Sequence, residues 1–176
     1  MLYENTMAIP LKNSILIKFS MRFEKISKEQ YRKDFGTLEG YDDLKLPSRA
    51  TVGSAGYDFY APYDFTIDPG REVKIPTGIR ISLAPRCVLL LMPKSGLGTK
   101  FGMQLTNTVG VVDSDYYFSD NEGHIWACLV NGGLHGRSIN IKKGQSFIQG
   151  IITTFAITED DDVIDTRNGG FGSTTK

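Results

Sequence analysis

An all-β fold, a barrel or jelly-roll-like sandwich with one short N-terminal helix, is what the chain predicts. Three observations point there. Beyond residue 54, short apolar runs are broken by Gly, Pro, Asn or Asp at roughly ten-residue intervals, the rhythm of many short strands in series. Only one earlier segment carries both a helix start and a helix stop. The 176 residues also fit one domain with a core of its own, so no second folding unit is required.

The first expected strand covers residues 15–23. Ile15, Ile17, Phe19, Met21 and Phe23 fall on one face and Lys18, Ser20 and Arg22 on the other, which is the alternation of a half-buried strand. Met21 is an alternative start, yet the alternation begins at Ile15, so residues before Met21 are expected to pair into the sheet. Ser27-Lys-Glu-Gln30 then reads as a capping box, and Gly36 stands where a left-handed residue ends a short helix. Residues 40–54, with Pro47, form a polar connection. Strands follow at 57–60, 72–75, 78–83, 87–92, 103–106, 110–112, 125–131, 138–141 and 146–155. Glu159, Asp160, Asp161, Asp162 and Asp165 repel one another, so the chain divides into a β domain with an N-terminal extension, 1–158, and an acidic linker with a glycine-rich tail, 159–176. No internal repeat is visible.

Composition excludes several classes. Twenty basic and twenty acidic residues cancel, so there is no global field to draw in a nucleic-acid polymer, and any anion must be held locally. Cys87 and Cys128 lie in or beside apolar runs, the habit of buried free thiols in a reducing compartment. No stretch reads as a secretion signal or a membrane span, so a cytoplasmic protein is expected. His124 and His135 have no Cys or Glu at metal-ligand spacing and are assigned structural or surface roles.

Residues suited to chemistry fall in five blocks. In Asn107-Thr-Val-Gly-Val-Val-Asp-Ser-Asp-Tyr116 an apolar strand runs into Asp113, so a rigid strand end presents a carboxylate that could act as a general base. Alone, the block could equally be an Asp-rich turn. Pro93-Lys-Ser-Gly-Leu97 offers a cation, a hydroxyl and a closely approachable backbone to a phosphate, but it is much shorter than a P-loop, no helix is expected after it, and alone it reads more readily as a plain surface turn. Ala55-Gly-Tyr-Asp58 and Gly144-Gln-Ser-Phe-Ile-Gln149 are weaker on their own. The last block, Arg167-Asn-Gly-Gly-Phe-Gly-Ser-Thr-Thr-Lys176, sets an arginine, one aromatic ring and three hydroxyls on glycines, suiting an anion and a flat base rather than a core.

In this order the five blocks, with Gly123-His-Ile125 completing the third, resemble the five motifs of the trimeric dUTP pyrophosphatases (dUTPases), from about residue 50 to the C-terminus. The resemblance implies a β-barrel or jelly-roll subunit in a homotrimer with shared active sites, converting dUTP and water to dUMP and pyrophosphate. It implies Asp113 as the base that activates the water attacking the α-phosphorus. Lys94, Ser95, the Gly96 amide and Gln149 would contact the phosphates, and Arg167, Ser173 and Thr174 would close over them from another subunit. Mg2+ would be held chiefly by the phosphates, with Asp58 reaching it through water. Asn107 and backbone groups of Gly110 and Trp126 would read the uracil edge, Tyr116 would pack on the deoxyribose, and Phe171 would stack on the base.

The chain departs from the family pattern in three places. Lys94 stands where arginine is usual and lacks its planar fork. Tyr117 and residues 118–122 intervene before Gly123, which predicts an enlarged hairpin tip that spares the base pocket. Arg167 also lies one residue nearer Phe171 than in most members. Two other activities suit the same scaffold. One is a dCTP deaminase, disfavoured by the Asp113 block and the aromatic glycine tail. The other is a nucleotide-dependent regulatory protein using residues 118–122 as a partner surface.

Overall fold

The computed structural model describes residues 20–133 and 135–165. The first strand, β1 (Arg22–Lys25), buries Phe23 against the core while Arg22 points out, continuing the alternation read from the sequence; residues 15–19 lie outside the described part. Helix α1 (Lys28–Phe35) follows. Ser27 Oγ accepts from the Gln30 amide at 3.0 Å, and Gly36 closes the helix at φ 73°, so both expected ends are where the residues put them. The reciprocal half of the capping box is built differently. The Ser27 amide donates to Glu122 Oε2 at 2.8 Å, and Gln30 turns its side chain to Asp34 instead.

Ten further strands make up most of the remaining regular structure: β2 (Ser48–Arg49), β3 (Tyr57–Tyr60), β4 (Phe65–Ile67), β5 (Glu72–Pro76), β6 (Ile79–Ser82), β7 (Cys87–Pro93), β8 (Met103–Leu105), β9 (Gly110–Asp113), β10 (Trp126–Asn131) and β11 (Ile139–Ile141). A last strand, β12 (Ser146–Thr154), completes the fold. They pair antiparallel in four small sheets, β1–β6, β5–β10–β8, β11–β4 and β2–β3–β12–β7–β9. Their inner faces share one core around Phe59, Ile75, Leu89, Leu129 and Phe147. This is the all-β, jelly-roll-like architecture expected. Strands β2 and β4 were not anticipated, because two or three residues carry too little alternation to register.

Two corrections concern helices. The segment after Lys94 is a helix, α2 (Ser95–Phe101), ended by Gly102 at φ 69°, where none was expected. Its two internal glycines suppress helix propensity, so the signal was absent locally; Leu97 and Phe101 packing on the core supply what propensity lacks. A short 3-10 turn (Ser114–Phe118) likewise follows β9. Residues 155–165 carry no helix or strand and are exposed throughout. No helix among the described residues is long and apolar enough to cross a membrane.

A second, smaller core holds α1 on the barrel: Ile26, Tyr31 and Leu44, with Phe35, Leu38 and Tyr41 against them. His124 belongs to this junction. Its ring is fully buried, Nε2 accepts from the Gly78 amide at 2.8 Å, and Nδ1 faces Asp34 Oδ2 at 2.6 Å. A backbone amide can only donate, so Nε2 is bare and Nδ1 carries the proton toward Asp34. Burial pushes the imidazole below its ordinary value, against the pull of Asp34. The structural role expected of His124 is what the fold gives it, and His135 is exposed.

Candidate active site

The central strand β12 assembles the first polar group. Gln149 pairs with Asp58 of β3 on one side and with Met92 of β7 on the other, so residues distant in sequence meet across three strands. Lys94, just past β7, places Nζ 2.6 Å from Asp58 Oδ1. Gln149 donates to the Pro93 carbonyl at 3.2 Å. Gly56 packs against it, and a Cβ there would lie 2.6 Å from Gln149 Oε1 and force the amide to turn away. The ion pair was not foreseen from the sequence, where its partners are 36 residues apart. By contrast, Ser95 and Gly96 are exposed, and a Cβ on Gly96 would meet nothing within 4 Å of this chain.

A second group is a cavity of about 220 Å³ beneath the turn that joins β8 to β9, two strands of different sheets. Asn107, Gly110 and Trp126 all line it, as expected of a base pocket, with Leu91, Leu105 and Val112 forming its apolar wall. Gly110 has no room for a side chain: a Cβ would approach Leu91 Cβ to 3.0 Å. Lys74 of β5 also lines the cavity, a residue that sequence reasoning passed over because nothing local marks it. Residues 117–122 lie outside the lining, so the insertion spares this cavity, but it is not the hairpin tip expected, since β9 and β10 belong to different sheets.

Asp113 ends β9 and is half-buried. Tyr116, in the turn after it, is almost fully buried; its hydroxyl donates to the His124 carbonyl at 2.9 Å and accepts from Asn121 Nδ2 at 2.8 Å. It does not line the cavity at the β8–β9 turn. The inserted residues are tied down. Tyr117 donates to Glu24 at 2.7 Å and accepts from Arg80, whose guanidinium lies 4.0 Å over the Tyr117 ring. Burial alone would raise the Glu24 carboxyl, but bonds from Tyr117, Arg80 and Arg22 hold it below the usual carboxylate range.

These groups do not converge within one chain. Asp113 pairs with Val88, near the start of β7, whereas Lys94 follows its end at Pro93. Six residues of strand separate the two, roughly 20 Å at about 3.3 Å per residue. Among the described residues no three His, Cys, Asp or Glu side chains come together as a metal site. Arg167, Phe171, Ser173 and Thr174 lie outside the described residues.

The chain is similar to known proteins over most of its length. A family model described as dUTPase matches residues 42–175. The deoxyuridine 5'-triphosphate nucleotidohydrolase of Lactococcus lactis subsp. lactis is 37% identical over 134 residues, spanning 74% of this chain and 88% of that protein. Its namesake from Paraburkholderia phymatum is 39% identical over 138 residues, spanning 75% and 90%. Among solved structures, the dUTPase from Streptococcus mutans superposes with a TM-score of 0.61 at 31% identity, covering 78% of this chain and 98% of that one. The dUTPase from phage phi11 of Staphylococcus aureus gives 0.62 at 17% identity, covering 83% and 97%, a likeness that speaks to the fold alone.

Proposed function

The chain belongs to the dUTPase family, and from that premise we propose that it hydrolyses dUTP to dUMP and pyrophosphate in active sites shared between the subunits of a homotrimer. The observation that carries this reading is the cavity at the β8–β9 turn: Asn107, Gly110 and Trp126 bound a space of about 220 Å³ beside the strand that ends in Asp113. A pyrimidine fits such a space, and the lining residues Asn107 and Gly110 offer a side-chain amide and backbone groups to its edge. A site built for one base edge leaves polar groups unpaired with another, which disfavours cytosine.

In the proposed mechanism Asp113 accepts the proton of a water aimed at the α-phosphorus. Its place at a strand end limits its motion and therefore the geometric error of attack. Lys94, Ser95, the Gly96 amide and Gln149 neutralise and orient the phosphate chain, the main task of a protein in phosphoryl transfer. The distance of roughly 20 Å between Asp113 and Lys94 along β7 supports a site whose two halves come from different subunits. A third subunit's tail brings Arg167, Ser173 and Thr174 over the phosphates and Phe171 over the base. Tyr116, in the turn that follows Asp113, would pack against the deoxyribose.

The donor set suits Mg2+ arriving on the triphosphate rather than a resident ion. Asp58 lies beside the phosphate-binding groups and is engaged by Lys94 at 2.6 Å, so it would hold the ion through water. When bound, the ion offsets charge on the phosphate oxygens. The protein is assigned to the cytoplasm, consistent with its free thiols at Cys87 and Cys128.

A panel of dUTP, dCTP, dTTP and UTP with product identification tests the reading. Pyrophosphate and dUMP from dUTP alone are expected. Ammonia from dCTP would replace it with a deaminase, and binding of dUTP without turnover would replace it with a regulatory protein.

A further inference from the structure

Lys74 stands between two spaces. It lines the cavity at the β8–β9 turn and also a wider cleft of about 590 Å³ between α1 and the barrel, and Trp126 is likewise common to both. Pairing of β5 with β10 sets Lys74 opposite Cys128 and Pro76 opposite Trp126, which puts the lysine and the indole on the same face two residues apart. The Lys74 ammonium lies 4.7 Å over the indole centroid. Lys94, Lys142 and Lys143 each hold a carboxylate, whereas Lys74 has none among the described residues. A cation is therefore held by an aromatic face at the edge of a largely apolar base cavity, with its donors unspent.

We propose that Lys74 is a specificity-determining residue, donating a hydrogen bond from its ammonium to the C4 carbonyl oxygen of the pyrimidine in the cavity. This rests on the function proposed above. An ammonium has three donors and no acceptor, so it satisfies a carbonyl and opposes an amino group. Uracil carries oxygen at C4, and cytosine carries an amino group there. Lys74 thus adds to the Asn107 and backbone contacts a charge-assisted bond that only the oxygen can accept. Thymine has the same oxygen, so Lys74 is blind to the 5-methyl group, whose exclusion is left to the close walls at Leu91 and Gly110.

That difference supplies the test. Steady-state kcat and KM for dUTP, dCTP and dTTP are measured on the wild type, Lys74→Met and Lys74→Arg, with calorimetric binding of dUMP and dCMP as a readout independent of turnover. Lys74→Met is expected to cut the dUTP over dCTP preference about tenfold through KM, and the dUMP over dCMP preference alike. The dUTP over dTTP preference stays constant, and Lys74→Arg keeps the wild-type ratios. The proposal is overturned if Lys74→Met leaves the dUTP over dCTP ratio alone. It is also overturned if the dTTP ratio moves in step, since that reports a deformed cavity. Failure of the wild type to hydrolyse dUTP would instead sink the proposed function, so the two failures are distinguishable.

Discussion

Asp113 and Lys94 carry the two halves of the proposed chemistry, and their surroundings differ. Lys94 is already committed to Asp58, so triphosphate binding must exchange a carboxylate for phosphate oxygens around one ammonium. Asp113 sits where the ladder ends and its backbone is fixed by pairing with Val88. Replacing it by Asn keeps the shape and removes the base. Asp113→Asn is expected to lower kcat by about 10² to 10⁴-fold with little change in dUMP affinity. Rapid-quench measurement of the chemical step checks this, and an unchanged step would mean that another group takes the proton. Both residues were legible in the sequence as types in motifs. The ion pair of Lys94 with Asp58 and the separation of Lys94 from Asp113 were not, because those depend on which strands become neighbours.

At the scale of elements, the insertion before Gly123 is the instructive case. Read along the chain, Tyr117 and residues 118–122 looked like an enlarged tip open to a partner. In the fold, Glu122 caps α1 through both the amide and the hydroxyl of Ser27, at 2.8 and 2.6 Å, and Tyr117 locks onto Glu24 and Arg80. The extension and the insertion are thus two parts of one junction. Ser27→Ala removes a cap and a hydroxyl bonded to Glu122, and it should cost about 1 kcal/mol or somewhat more. Thermal unfolding should show a Tm lower by about 2 to 4 °C. Glu122→Ala should produce a comparable loss; if it is silent, the junction contributes no stability. Helix α1 could be read locally because Ser27 and Gly36 mark its ends. Helix α2 could not, since its glycines oppose a helix and only packing of Leu97 and Phe101 favours one.

His124 extends the junction into a pH response. With its ring buried and Nε2 committed as an acceptor, the neutral form is the one the fold binds, and its folded pKa lies below the ordinary 6.5. The unfolded chain therefore takes up a proton before the native one does. This contribution to stability is present above about 6.5 and is lost as pH falls through the window down to the depressed folded value. Unfolding temperatures between roughly pH 7.5 and 5.5 should decline more steeply for the wild type than for His124→Gln. Parallel curves would remove His124 as the cause.

On the scale of the whole molecule, a single chain separates the proposed base from the phosphate-binding cluster, and this makes assembly part of the catalytic argument. If the tail acts on a neighbour's site, Asp113→Asn and a chain lacking residues 167–176 should each be nearly inactive. Co-expressed, they should recover a measurable fraction of activity in mixed trimers, read by pyrophosphate release after purification through two tags. No recovery in demonstrably mixed trimers would place tail and base in the same subunit. The truncated chain should still assemble, as sedimentation would show.

What the sequence determined by itself is local or periodic: strand alternation, the ends of α1, free thiols, and five blocks whose order names a family. Such features are set by a few adjacent residues, because side-chain period and turn conformation follow from the backbone they share. The tertiary structure decided everything that joins residues far apart. Glu122 meets Ser27 across 95 positions, His124 meets Asp34 across 90, and Lys74 comes over Trp126 only because β5 and β10 pair in that register. Propensity carries no information about such meetings. They arise where packing of separate elements leaves a polar group buried and in need of a partner.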